Sequence, residues 1–231
     1  MKNFSNLYIF TFAAVLVLLV AAALSFTALS LQGRQQRNRE IETKRSILTS
    51  LGVTSTVDDA EALFAKYVKG SLVVNPAGET VSEEAMTAQD VKEQVGRGAD
   101  RKLPLYKAEI DGQPYTVIPV AGKGLWGAIW GYVALQGDCS TIKGVFFDHA
   151  SETPGLGAEI TTDKFRAPFT GKRIYEGSRL VSVKVAKKGT YTPDDHTVDA
   201  ISGGTMTSKG LDAMLKDCLT PYDNYFKKQQ N

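Results

Sequence analysis

Residues that build metal centres and disulfides are scarce in this chain. Its 231 residues include two cysteines and two histidines, and their positions show no metal-ligand spacing. Cys218 falls on the apolar face of a predicted helix, which is typical of core packing, so we expect no disulfide with Cys139. A formal net charge of +2, with no basic cluster interleaved with aromatic residues, argues against a nucleic-acid-binding protein. No internal repeat is visible.

Charged residues are absent from one long stretch near the start. Residues 7–29 contain none, and at 1.5 Å per residue a helix of about 23 residues spans the hydrocarbon core of a membrane, which is roughly 30 Å thick. A cleaved signal peptide is the alternative, favoured by the basic Lys2 and the small residues 21–23. The apolar core of a signal peptide runs only about 7 to 15 residues. We therefore predict an uncleaved anchor.

Basic residues are distributed unevenly about this stretch. Lys2 precedes it, and five basic residues follow within a short distance: Arg34, Arg37, Arg39, Lys44 and Arg45. A literal positive-inside count would leave the following domain in the cytoplasm. Long domains can nevertheless cross the membrane largely regardless of flanking charge, so charge alone leaves the orientation open.

Apolar patterning predicts helices on both sides of a central β region. Residues 32–51 and 54–67 are expected to be helical. No function is assigned to residues 79–100, which are polar. The expected strands are 72–74, 106–110, 115–119, 130–135, 142–147 and 181–186. Turns at Asp111-Gly112 and Gly137-Asp138 predict two hairpins. The fold class is therefore α+β, an antiparallel sheet with packed helices, preceded by one N-terminal transmembrane helix.

A glycine-containing segment, Asp199–Thr207, precedes the last long helix. Apolar residues recur behind it in steps of three and four, at Leu211, Met214, Leu215, Cys218, Leu219 and Tyr222, and Pro221 interrupts the pattern. The spacing predicts a helix that begins near Thr205. A helix N-terminus stabilises an anion, and Gly203 and Gly204 let the backbone approach it closely. Phosphate is the natural ligand, unless Ser202 merely caps the helix.

Two further glycine-containing segments lie between the predicted strands, at residues 122–132 and 149–160. Each alone is typical of a loop with unusual backbone dihedrals, and His149 is interpreted as a surface residue of the second loop. A flavin site also needs apolar surface for the ring and hydrogen-bonding groups for its polar edge. Trp126 and Leu156 are candidates for the first task, and Glu152 and Thr153 for the second.

The segment Asp199–Thr207 resembles the attachment motif of the family whose members carry flavin mononucleotide (FMN) bound covalently to threonine. The matching residues are Asp199, Ser202, Gly203, Thr205 and Thr207, whereas Gly204 stands where alanine is usual. The resemblance implies an ester between Thr205 and the FMN phosphate. Because a threonine hydroxyl with no adjacent base is a weak nucleophile, the resemblance also implies a separate flavin transferase.

Three motifs that occur in a fixed order restrict the resemblance to two groups of proteins within this family. Gly-Leu-Trp-Gly at 124–127, Glu-Thr-Pro-Gly-Leu-Gly at 152–157 and the threonine motif resemble the C subunits of sodium-translocating NADH:quinone oxidoreductases. The G subunit of the Rnf electron-transport complex shares the second and third motifs. The resemblance implies a domain outside the bacterial cytoplasmic membrane, where FMN relays single electrons from an iron centre in the membrane to a covalent FMN in a neighbouring protein of the complex. A stand-alone anchored flavin-binding sensor is a further alternative.

The expected organisation is a transmembrane anchor at residues 1–31, a helical and mixed region at 32–100 and an FMN-binding domain at 101–231. The expected partners are the membrane, the other subunits of a redox complex and the flavin transferase. No residue needs to act as a catalytic acid or base, because the flavin supplies the redox chemistry. The candidate cofactor-binding residues are Thr205, Ser202, Gly203, Gly204, Thr207, Asp199, Trp126, Leu125, Glu152, Thr153, Leu156, Gly157 and, for its charge, Lys188.

Overall fold

A computed structural model describes residues 5–88, 90–91 and 101–230. The chain divides into two units, Met1–Glu42 and Thr43–Asn231. Lys2, which entered the signal-peptide and orientation arguments, lies outside the described residues, as do positions 89 and 92–100 of the polar stretch.

The first helix, α1, is one continuous element from Asn6 to Ser50. The structure thus confirms that the uncharged stretch is helical and that the charged residues behind it extend the same helix. The apolar side chains between Leu7 and Leu31 are exposed. By length and composition α1 can cross a membrane.

A six-stranded antiparallel sheet forms the centre of the second unit, with the strand order β2-β1-β3-β4-β5-β6. The strands are β1 Val68–Val74, β2 Thr80–Ser82, β3 Leu103–Ile110, β4 Gln113–Lys123, β5 Ala128–Gln136 and β6 Ile142–His149. Both predicted hairpins are confirmed. Asp111 and Gly112 have φ of 51° and 75°, the left-handed pair that a two-residue hairpin turn requires.

Alternate residues of the central strands face two separate cores, because successive side chains of a strand point to opposite faces. Ile118 and Val133 belong to a large cluster with the C-terminal helices. Val117 and Ala134, their neighbours in sequence, belong to a smaller cluster with Ile47. Both faces of the sheet are therefore covered, and the two cores hold the strands that carry the site.

Two predicted elements differ from the structure. Helix α2 spans Ala60–Tyr67 and not 54–67, because Thr56 N donates to Asp59 Oδ1 over 2.6 Å and fixes a turn ahead of it. The strand predicted at 181–186 is also wrong in part. It is broken at Ser182, whose φ is 65°, so that only β8 Arg179–Leu180 and β9 Lys184–Ala186 form. Strand β8 pairs antiparallel with β7, Tyr175–Glu176.

Strand β9 pairs in parallel with β10, Thr197–Asp199. This small sheet lies outside the antiparallel one, and β10 leads directly into the threonine motif. The chain therefore enters the motif from a hydrogen-bonded strand.

Among the described residues, three further helices of the second unit are α3 Asp163–Arg166, α4 Thr205–Leu219 and α5 Asp223–Gln230. Pro221 interrupts the last two as predicted, within a 3₁₀ turn at Thr220–Tyr222. Cys139 and Cys218 are free and buried, and the Cys218 thiol donates to the carbonyl of Ala121 over 3.4 Å.

Helix α4 lies unusually close to β4. A Cβ added to Gly122 would stand 2.7 Å from Met214 Cβ, and one added to Gly210 would collide with the carbonyl oxygen of Lys123. Such distances are far below ordinary van der Waals contact. Gly210 therefore lets the backbones of α4 and β4 meet, and Gly122 makes room for the Met214 side chain. Together they fix the position of α4 against β4.

Candidate functional site

Three segments meet at the N-terminus of α4 around an open pocket of about 120 Å³. They are the turn between β4 and β5, the segment after β6 and the loop between β10 and α4, which we call the threonine loop. The lining residues are Leu125, Trp126, Glu152, Thr153, Leu156, Gly157, Gly203, Gly204, Thr205, Met206 and Thr207. The three motifs singled out from the sequence are thus brought together in space.

The threonine loop turns sharply into α4. Gly203 has φ of 79°, and a Cβ at this position would stand 2.6 Å from Leu156 Cδ2, so both the backbone dihedral and the close approach favour glycine. Gly204 is the N-cap residue and makes no side-chain cap. The loop is instead closed by Ser208, whose hydroxyl accepts from Ile201 N over 3.1 Å.

Thr205 and Thr207 have opposite environments although they are only two positions apart. Thr205, the first residue of α4, is exposed, and among the described residues no hydrogen bond engages its hydroxyl. Thr207 is buried, and its hydroxyl donates to Glu152 Oε2 over 2.5 Å. The backbone N–H groups of this first helical turn have no acceptor within the helix and favour an anion. Of the two hydroxyls, the one at Thr205 is accessible from solvent.

Glu152 is the residue that connects the three segments. Its side chain is 4% exposed. Oε1 accepts from Trp126 N over 2.8 Å and from Gly127 N over 3.3 Å, while Oε2 accepts from Thr207. A buried carboxylate thus joins the β4–β5 turn to the first turn of α4.

The hydrogen bonds keep this carboxylate ionised. Burial alone raises the pKa of Glu152, but the hydrogen bonds from Thr207, Trp126 and Gly127 outweigh it and hold the pKa below its ordinary value. His149 also positions the backbone, because its Nδ1 accepts from Glu152 N over 3.1 Å. That ring nitrogen must therefore be unprotonated.

Two glycines provide space for the carboxylate. A Cβ at Gly124 would lie 2.5 Å from Glu152 Oε1, and one at Gly157 would lie 2.5 Å from Glu152 Oε2. Neither position can hold a larger residue while the hydrogen bonds remain. Gly124 and Gly157 therefore serve the close approach around Glu152 rather than flexibility.

The rim of the pocket is apolar and exposed. The exposed fractions are 67% for Trp126, 55% for Met206, 47% for Leu125 and 42% for Leu156. Large exposed apolar side chains that cluster around one pocket indicate a ligand or partner surface rather than ordinary exposure. The pocket thus combines a free hydroxyl, helix N-terminal amides and an apolar rim.

Comparison with known proteins places this site in a family. Residues 124–220 match the family model described as "FMN-binding domain". A relative from Pseudomonas aeruginosa, the C subunit of its Na(+)-translocating NADH-quinone reductase, is 30% identical over 230 residues, covering 88% of this chain and 87% of that protein. This chain belongs to the family of these C subunits, NqrC. The NqrC relative from Vibrio vulnificus is 29% identical over 213 residues, 85% of this chain and 84% of that protein.

Solved structures of the NqrC family share the fold. That of the C subunit of the Na(+)-translocating NADH-quinone reductase from Parabacteroides distasonis aligns with a TM-score of 0.79 at 38% identity, covering 85% of this chain and 96% of that one. NqrC from Shewanella oneidensis aligns with a TM-score of 0.70 at 27% identity, covering 85% of this chain and 99% of that one. The fold class expected from the sequence, antiparallel sheet with packed helices, is confirmed.

Most of the candidate residues come together, and three do not. Ser202, Asp199 and Lys188 do not line the pocket. Asp199, at the end of β10, accepts from the Tyr191 hydroxyl over 3.1 Å and lies 3.9 Å from Lys188 Nζ. Lys188 is exposed, and its described ion pair is with Asp199. Ser202 is exposed and is not the helix cap.

Glu152 is expected from the sequence to supply a hydrogen-bonding group for the flavin edge. In the structure, the described hydrogen bonds of its side chain go to the protein. Met206 is not singled out by any motif, although it lies between the two threonines and on the rim. His149 is not a simple surface residue, and the signal that points to its role is its position three residues before Glu152.

Proposed function

We propose that this chain is the membrane-anchored electron-transfer subunit of a sodium-translocating NADH:quinone reductase, with FMN esterified through its phosphate to Thr205. The observation that carries the proposal is the exposed Thr205 hydroxyl at the N-terminus of α4, inside a pocket formed by all three motifs. Membership of the NqrC family and the match to the FMN-binding domain support it.

The residues present fit FMN. The amide groups of the first turn of α4 suit a phosphate, Thr205 offers the ester oxygen, and the apolar rim suits one face of the isoalloxazine ring. When bound, FMN supplies the capacity to accept and release electrons. The protein holds it by a covalent bond, which prevents loss by dissociation.

Attachment requires an activated donor and a separate enzyme. The Thr205 Oγ1 atom loses its proton and forms a bond to the FMN phosphorus. In a flavin dinucleotide donor the phosphoanhydride bond breaks at the same phosphorus, and the nucleoside monophosphate leaves. Among the described residues, no base lies in hydrogen-bond contact with Thr205, so the base must come from the flavin transferase.

The anchor is α1, and we assign the domain to the outer side of the cytoplasmic membrane. The exposed apolar side chains of α1 support insertion. The outer location follows the family resemblance rather than the flanking charges, which would favour the opposite orientation. In the complex, the other subunits would contact the domain through the flavin edge and the membrane helix.

Denaturing electrophoresis under ultraviolet light tests the covalent link. The full chain co-produced with its flavin transferase should give a fluorescent band. Thr205→Ala should abolish the fluorescence, whereas Thr205→Ser, which keeps a hydroxyl, should retain it. A fluorescent Thr205→Ala band, or a dark wild-type band in the presence of the transferase, would contradict the proposal.

A further inference from the structure

The carboxylate of Glu152 is buried in the lining of the pocket that also contains Thr205. It accepts hydrogen bonds from Trp126 N, Gly127 N and the Thr207 hydroxyl. These donors belong to segments that are 26, 25 and 55 residues away in sequence. No other described side chain joins the β4–β5 turn to the first turn of α4 by such hydrogen bonds.

We infer that Glu152 is a positioning residue for flavin attachment: it holds the Leu125–Gly127 turn against α4 and engages the Thr207 hydroxyl, so that Thr205 presents the one free threonine hydroxyl of the motif. This inference rests on the proposed function. It adds a role in selecting the hydroxyl and in forming the pocket before any flavin arrives.

The three hydrogen bonds favour a carboxylate. All three partners donate in the structure, so both oxygens of Glu152 act as acceptors. A glutamine has one oxygen and one NH₂ group. If its oxygen faces the turn, its NH₂ must donate to the Thr207 oxygen, so the Thr207 hydrogen loses this acceptor; if reversed, its NH₂ opposes two N–H groups. In either orientation glutamine loses the hydrogen bonds to a negative charge that Glu152 makes, despite its equal size.

The selection of Thr205 follows from the same contacts. Thr207 is 1% exposed and Glu152 4% exposed, so neither is accessible to a large enzyme in the folded domain. Thr205 is exposed, and two residues along a helix place it on the opposite side of the first turn from that hydrogen bond. The fold itself thus distinguishes two threonines that the motif presents side by side.

The test uses the full-length apo chain in detergent, purified from cells that lack the flavin transferase. Amide hydrogen exchange is measured on the apo chain. The rate of mass gain is then followed after adding flavin transferase and flavin adenine dinucleotide, and the modified residue is located by peptide mass spectrometry. The variants are Glu152→Gln, Thr207→Val and the double variant. Glu159→Gln is the matched control, because Glu159 accepts from Gly155 N, a bond that a glutamine oxygen can keep.

We expect wild type and Glu159→Gln to be modified at Thr205 at equal rates, with Trp126 and Gly127 amides protected. Glu152→Gln should slow attachment about tenfold, since losing the hydrogen bonds to a buried charge costs the equivalent of that factor, and should raise the exchange rates of both amides. Thr207→Val should slow attachment less. The double variant should be no slower than Glu152→Gln, because the hydrogen bond from Thr207 to the carboxylate is already lost in Glu152→Gln.

The inference is overturned if Glu152→Gln gains flavin at the wild-type rate and its Trp126 and Gly127 amides stay protected. If Glu152→Gln does not fold, Thr207→Val decides: slower attachment supports the inference, and an unchanged rate overturns it. If no variant gains flavin, including wild type, the proposed function fails, while the amide exchange of the apo chain still tests Glu152 separately.

Discussion

The hydroxyl of Thr207 donates to Glu152 Oε2 over 2.5 Å, and both residues line the pocket in which Thr205 is exposed. One threonine of the motif is thus part of the buried framework, and the other is available for chemistry. This division gives distinct roles to residues that the sequence motif treats alike.

Glu152→Gln should lower the free energy of unfolding of the second unit by about 2 to 3 kcal/mol at neutral pH, because it removes the negative charge to which the buried hydrogen bonds are made. The pKa of Glu152 is lowered in the folded state. Its stabilising contribution is therefore complete above the ordinary value of 4.5 and is lost as the pH falls through the folded-state value.

Denaturant unfolding of wild type and Glu152→Gln checks this dependence. It is measured from about pH 3 to about pH 8, which brackets the ordinary pKa of a glutamate. The difference between wild type and Glu152→Gln should be constant near neutrality and shrink below about pH 4.5. A difference that grows on acidification would contradict the assignment of an ionised Glu152.

Gly210→Ala should destabilise the domain by about 1 to 3 kcal/mol, although alanine favours helices by about 1 kcal/mol over glycine. The reason is the collision of the new methyl group with the carbonyl of Lys123. Gly33→Ala is the matched control, since a Cβ at this helical position meets nothing within 4 Å. Denaturant unfolding should give changes in the free energy of unfolding that differ in sign or size between the two variants. Equal changes would show that the close contact of α4 with β4 is unimportant.

The sequence predicted the elements better than the contacts between them. Asp111-Gly112 specified its hairpin because a two-residue turn with positive φ admits few residues, and the apolar spacing behind Thr205 marked α4. Ser182, in contrast, interrupts a β-rich run through a local backbone dihedral that composition does not encode. The role of Glu152 depends on partners far away in sequence, so no local pattern could reveal it.

Trp126→Phe should increase the fluorescence of the attached flavin in the native protein severalfold. An indole ring in contact with the isoalloxazine quenches its emission, and phenylalanine does so poorly. Trp130→Phe is the control, because Trp130 lies in β5 and does not line the pocket. Emission should be equal in all three proteins after denaturation. Native emission unaffected by Trp126→Phe would argue against stacking on this side of the pocket.

Protease treatment of spheroplasts tests the orientation. If the domain lies outside the cytoplasmic membrane, added trypsin should cleave it in spheroplasts with intact membranes, while a cytoplasmic marker protein stays whole. A domain that resists trypsin until the membrane is dissolved would place it in the cytoplasm, as the basic residues after the apolar stretch suggest.

The most direct test of the central claim is the intact mass of the mature chain purified from its own membrane. The account predicts the mass of the polypeptide plus one FMN less one water, with the added mass located at Thr205 by fragmentation. A chain that weighs no more than its amino acids, or a flavin found on another residue, would contradict it.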